Sequence, residues 1–198
     1  MRLIHPKRYW RKARNAWNVW MFKCEAKRLG ITLTIGEGVT IKDCHLQVES
    51  GTTNNELIID DYCDLWGAKF AFHGSKNVIH LRKWARVNAP FGYHTQFHVS
   101  ADKSIEIGEE CLFSNSIMVS TSDWHNVYNG EERINQEKSI KIGKDVWVGE
   151  RVYITKGVSI ADGSIVGACS VVTKSFDQKN VVIAGNPATI KKENVWWN

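Results

Sequence analysis

The chain has 198 residues, 43% hydrophobic and 24% charged, which suits one globular domain with a real core and excludes a low-complexity or disordered polymer. The net charge of +5 is uneven: residues 1–30 hold nine Lys or Arg and one acid, Glu25, so the rest of the chain is slightly acidic. No apolar run is long enough to span a bilayer and the N-terminus lacks the apolar stretch of a signal peptide, so a cytoplasmic location is expected.

Residues 6–29 read as an amphipathic helix, a basic N-terminal segment (1–30) set apart from a second unit (31–198). Tyr9, Trp10, Ala13, Trp17, Trp20, Met21 and Cys24 recur at three- and four-residue steps, with Arg8, Arg11, Lys12 and Arg14 on much of the remaining surface. Two readings stand. The aromatic face covers the end of the following unit or a neighbouring subunit, or the helix docks on an anionic membrane. Nucleic acid is not expected as a partner, because no reading motif accompanies the basic cluster.

From Ile35 the pattern changes. Ile35-Gly36-Glu37-Gly38-Val39-Thr40-Ile41 has the short alternation of a strand with turn glycines. The phase slips over 43–57, where Ser50 to Asn55 reads as a loop, and returns at Ile59, Leu65 and Ala71. Residues 72–104 are irregular, with inward positions expected at Leu81, Ala85 and Val87. Their histidines (His73, His80, His94, His98) show no convincing metal spacing, so they read as wall residues and no metal is expected. Clear phase resumes at Ile107, Phe113 and Val119, then breaks near 125 and restarts at Gln136, Ile140 and Ile142. A loop of roughly residues 122–138 is therefore expected to leave the scaffold there, and such loops commonly carry function.

The clearest stretch is 142–172. Ile142, Val148, Ile154, Ile160, Val166 and Val172 recur every six residues, and Val146, Val152, Val158, Ser164 and Ser170 follow four residues after the first five. One short strand per six residues predicts a parallel β-helix with three sides to a coil. Ile142 should stack on Ile160, Val148 on Val166 and Ile154 on Val172. The five cysteines form no CxxC pair; Cys63 and Cys111 fall on small inward positions and read as buried reduced thiols.

The hexapeptide pattern, the VWVG step at 146–149, GACSVVTK at 167–174 and GNPA at 185–188 resemble the left-handed β-helix acyltransferases, most closely the sugar and polysaccharide O-acetyltransferases, with galactoside, maltose and xenobiotic acetyltransferases as relatives. The resemblance is strong over 105–192, weaker over 31–104 and absent over 1–30. It implies an all-β fold, a left-handed parallel β-helix with a protruding loop after the N-terminal helix. It also implies a homotrimer with acetyl-CoA as donor, bound between neighbouring β-helices. The resemblance makes His125 the general base, which a weakly nucleophilic sugar hydroxyl needs at neutral pH. Asp123 reads either as the group that orients this imidazole or as a turn former. Trp147 reads as an acceptor or pantetheine wall or a subunit contact, and Trp124, Arg133, Asn115 and Ser116 as acceptor contacts or ordinary surface. Gly149, Ala168, Lys174 and Lys192 correspond to donor-binding positions, although Thr189 and Lys192 stand where galactoside-type relatives often carry arginines. The implied function is O-acetylation of a carbohydrate hydroxyl, on a surface polysaccharide or its lipid-linked or nucleotide-sugar precursor. The alternatives are N-acetylation of an antibiotic or amino sugar, and a non-catalytic β-helix scaffold.

Overall fold

The computed structural model describes residues 6–90 and 92–198, with side chains described from Lys12 onward. The six-residue period folds into three parallel sheets that wrap one core. Face I carries Ile31–Ile35, Asn55–Ile59, Val78–Leu81, Ser104–Ile107, Ile140–Ile142 and Ser159–Ile160. Face II carries Thr40–Lys42, Asp64–Trp66, Arg86–Asn88, Leu112–Phe113, Trp147–Val148, Ile165–Val166 and Val182–Gly185, and ends in the antiparallel return strand Ala188–Lys192. Face III carries His45–Val48, Ala68–His73, Thr95–Ser100, Met118–Ser120, Tyr153–Ile154 and Val171–Val172.

The expected stacks are those observed: Ile142 pairs with Ile160, Val148 with Val166 and Ile154 with Val172. The second series is buried, from Val146 to Ser170, because small side chains fit where two faces converge. Each of these residues follows a left-handed backbone position: Asp145, Arg151, Gly157, Gly163 and Cys169 all have positive φ. The corner itself demands that conformation, so even non-glycine residues adopt it, at about 1–2 kcal/mol each. Cys63 and Cys111 are fully buried and uncrosslinked, and burial pushes both thiols up to about 12.

The early coils depart from the strict period. Within 43–57, His45–Val48 is a face III strand, and the expected loop from Ser50 then leads to the strand Asn55–Ile59. On the next coil the inward face III residues are Phe70 and Phe72, and Ala71 lies opposite His98 in the register. The phase differs because the corner between faces II and III, at Asp43 and at Gly67, is one residue shorter than its counterpart at Gly149-Glu150-Arg151. Phe70 stacks on Phe97, and Phe97 meets Phe113 edge-on, both at centroid distances of 5.5 Å, through this wider end.

Helix α1, Pro6–Arg28, closes the first coil. Proline at its first turn lacks only a donor that has no partner there anyway, and Lys27 and Arg28 suit the negative end of its dipole. The helix packs with Val19, Phe22, Ala26 and Leu29, not with the aromatic face. Trp17 and Trp20 are 60% and 53% exposed, with Met21 and Cys24 beside them on the outside. The reason is the open sheet edge. Asn15 donates to Val39 O and accepts from Ile41 N, and Asn18 donates to Ile41 O, so amides satisfy backbone groups that indoles cannot. The contributions of Tyr9 and Trp10, and of Arg8 and Arg11, lie outside the described side chains. No described helix is long and apolar enough to cross a membrane.

Candidate active site

The expected loop leaves the coil after Ser120, at the corner between faces III and I, and returns at Ile140. Its neck closes where Lys138 N donates to Thr121 O at 3.1 Å, and a short hairpin, Tyr128–Asn129 against Glu132–Arg133, forms its tip. His125 is exposed near its base.

Three groups fix the backbone around His125. Asn135 Nδ2 donates to His125 O at 2.7 Å and to Asp123 Oδ2 at 3.0 Å, while Asn135 Oδ1 accepts from Val127 N at 2.7 Å. Lys156, in the turn one coil on, donates to Asp123 Oδ2 and to Asn135 O. Partial burial pushes the Asp123 carboxyl up, but Lys156 and Asn135 outweigh it and hold the group below its ordinary value. The Asp123 carboxylate bonds Lys156 and Asn135 through Oδ2 and so orders the loop, and no described residue hydrogen-bonds the His125 ring.

Trp124 anchors the other side of the loop. It has a left-handed φ of 69°, and its ring stands edge-on to His73 and His98, 4.9 Å from each. The two imidazoles form a stacked pair on the outer wall of face III. His98 Nε2 donates to Gln96 Oε1 at 3.1 Å, which leaves His98 Nδ1 to accept from His73 Nε2 at 3.2 Å. Burial, then His73 and Lys69, pushes His98 down to about 4. Burial also lowers His73, with Lys69 assisting and Glu49 opposing. The pair is neutral at neutral pH and forms a flat platform for Trp124. Neither histidine carried a usable signal in the sequence, because only coil pairing puts Ala71 and His98 side by side.

The other expected site residues divide between places. Arg133 lies in the loop, where its guanidinium pairs with Glu137, four residues on. Lys174 follows the last face III strand on the loop's side of the coil, with its ammonium 5.6 Å from the Phe176 ring centroid. Asn115 and Ser116, Gly149 and Ala168 line the II–III corner. There Asn115 O accepts from Arg151 N, and a side chain on Gly149 would meet Ala168 N at 2.8 Å. Lys192 ends the return strand of face II. Trp147 is outward on face II and 37% exposed, with Trp197 at 6.1 Å; the Trp197 indole is tied to Asp145 O at 2.7 Å. In a three-sided coil, face II is opposite the I–III corner. One chain therefore keeps His125 and Trp147 on opposite sides of the prism.

The bacterial transferase hexapeptide model matches residues 139–174. The crystal structure of the polysialic acid O-acetyltransferase OatWY is similar at 30% identity and a TM-score of 0.77, covering 85% of this chain and 77% of that one. The polysialic-acid-specific acetyltransferase NeuO is similar at 26% identity and a TM-score of 0.62, over 85% and 82% of the two chains. AntD, an N-acyltransferase from Bacillus cereus, shares the fold at 18% identity and a TM-score of 0.55, over 86% and 88%. No curated protein sequence matches significantly. The chain belongs to the bacterial hexapeptide-repeat transferases, with the left-handed parallel β-helix of that family. It is an acyltransferase.

Proposed function

We propose that the protein is an acetyl-CoA-dependent O-acetyltransferase acting on a surface polysaccharide or its precursor. The observation that carries this is an exposed, unbonded His125 on a rigidly anchored loop, in a chain 30% identical to a polysialic acid O-acetyltransferase. In this reading the neutral imidazole removes the proton of a sugar hydroxyl as its oxygen attacks the thioester carbonyl. A tetrahedral oxyanion forms, the C–S bond breaks, and the imidazolium returns its proton to the departing CoA thiolate. No acyl-enzyme is needed. Because His125 and Trp147 lie on opposite sides of one prism, the site is completed in a homotrimer. The loop of one subunit faces the Trp147, Asn115, Ser116, Gly149 and Ala168 surface of a neighbour, with Lys174 and Lys192 near CoA phosphates. The catalytic unit is 31–198 and works in the cytoplasm.

The test is thiol release from acetyl-CoA with polysialic acid, neutral bacterial polysaccharides, simple sugars and chloramphenicol-like drugs. Wild type should turn over with a polysaccharide, and His125→Ala should lose about a hundredfold or more. Release within a few-fold of wild type in the variant would remove His125 from the mechanism. Turnover with drugs alone would move the assignment to xenobiotic acetylation.

A second element of the proposal concerns α1. With the face of Asn15, Asn18, Val19, Phe22 and Ala26 used to close the coil, its exposed face presents Trp17, Trp20 and Met21 beside Lys12, Arg14 and Lys23. Indoles among cations suit an anionic lipid surface, where membrane-linked glycans are assembled. Wild type should sediment with vesicles containing phosphatidylglycerol but not with phosphatidylcholine alone, and Trp17→Ala/Trp20→Ala should not. Equal sedimentation of the variant would remove this element.

A further inference from the structure

At the II–III corner, away from the His125 loop, the fold gathers three groups that the sequence scatters. Asp43 is the left-handed corner residue of the first coil, and His45 begins the following face III strand. His94 precedes the face III strand Thr95–Ser100, two coils on. Gly67 is the corner residue between them: its N–H donates to Lys42 O and its carbonyl accepts from Thr95 N. With no side chain at Gly67, the outer coils reach each other. His45 Nε2 is 3.2 Å from Asp43 Oδ1, His94 Nε2 is 3.6 Å from Asp43 Oδ2, and the two imidazole centroids are 5.0 Å apart. One ligand atom from each of the three residues lies within 4.8 Å of the others.

Two features distinguish this cluster from an ordinary surface pair. His94 Nε2 is buried and has no hydrogen-bond partner among the described residues, although it faces a carboxylate. Among the described residues, the ion-pair partners of Asp43 are the two histidines, with no Lys or Arg. A buried ring nitrogen with no partner costs on the order of 1–3 kcal/mol unless something occupies the space before it.

We infer that Asp43, His45 and His94 form a binding site for one divalent transition ion of the zinc type. In a tetrahedral site with bonds of about 2.0–2.1 Å, neighbouring ligand atoms lie about 3.3–3.4 Å apart; the three groups here, within 4.8 Å of one another, need only small side-chain rotations to reach that spacing. Two imidazoles and one carboxylate are a borderline-soft set, suited to zinc and poorly suited to calcium or magnesium. Both imidazoles bind as neutral ligands through Nε2, with their protons on Nδ1. The ion joins the first coil to the third across Gly67. Asp43 also lines a cavity of about 530 Å³ against α1, bordered by Asn18, Phe22, Glu25 and Arg28, so the ion stiffens the corner on which the helix rests. Cys44 is adjacent, but its sulfur is turned to Lys42 O and Leu65 O, away from the three-residue cluster. The role is structural, and it holds whether or not the acetyl-transfer reading does.

The experiment uses full-length, chelator-stripped protein, titrated with Zn(II) against a chromophoric competitor. One equivalent per chain should bind with a Kd in the micromolar range or tighter and raise the unfolding temperature. His45→Ala and His94→Ala should each weaken binding by a hundredfold or more, with Asp43→Asn as the shape-preserving variant where an alanine variant does not fold. His80→Ala, which removes another His–Asp pair on a different face of the coil, should leave binding unchanged. Co(II) should give visible d–d bands without thiolate charge transfer. Absence of stoichiometric binding, binding that survives the Asp43 and His94 substitutions, or a thiolate band would each overturn the site.

Discussion

Asn135 is the residue on which the order of the candidate catalytic loop turns. Its side chain makes three hydrogen bonds at 2.7–3.0 Å, to His125 O, Asp123 Oδ2 and Val127 N, and so bridges both sides of the histidine. Buried bonds of this kind contribute about 1 kcal/mol each. On an exposed loop the three together are worth roughly half that total, about 1.5 kcal/mol. Since 1.36 kcal/mol is a tenfold change in an equilibrium constant, Asn135→Ala should lower the ratio of ordered to open loop about tenfold. Lys156 would keep its contact with Asp123, so the loop is loosened but not detached. The coil is untouched, and the global unfolding midpoint should stay where it is. Amide exchange over residues 122–138 should speed up by about the same factor. Because kcat/KM follows the ordered fraction, which stays high while the ordered form dominates, it should fall by no more than about tenfold. A fall of a hundredfold or more would refute the idea that Asn135 acts through loop order alone. Unchanged exchange would refute the hydrogen-bond account itself.

Phe70→Ala removes the ring that stacks on Phe97 and meets Phe22 of α1 edge-on at 6.4 Å, so urea unfolding should show a loss of about 3–5 kcal/mol. A loss below about 1 kcal/mol would mean that the wide end is not packed as described. The His98 pair predicts a pH dependence. Its folded value, about 4, lies below the ordinary 6.5, so between these values the unfolded chain binds more protons. Stability is complete above pH 6.5 and falls as pH drops toward 4. Thermal unfolding across that range should show a slope that His98→Gln reduces, and an unchanged slope would place the titration elsewhere.

The amino-acid sequence alone determined the β-helix from 104 onward. Over 142–172 the coils have the same length and the signal is local: an inward aliphatic every sixth residue and a small residue at each corner. Equal coil lengths make stacking follow from spacing, as Ile142 on Ile160 shows. The loop was legible for the same reason, as a break in a regular count. In the first three coils, corners that shorten at Asp43 and Gly67 or lengthen at residues 90–94 hide the period, and only pairing reveals that Phe70 points inward. The face of α1 was also undecidable from amphipathicity. An open coil edge must first satisfy backbone donors and acceptors, so the helix turned Asn15 and Asn18 inward and left Trp17 and Trp20 outside. Tertiary structure likewise set Lys156 and Asn135 around His125, placed Trp124 on the His73–His98 pair and joined Asp43 to His94. A solenoid makes neighbours of residues one or two coils apart, and those distances depend on every corner in between.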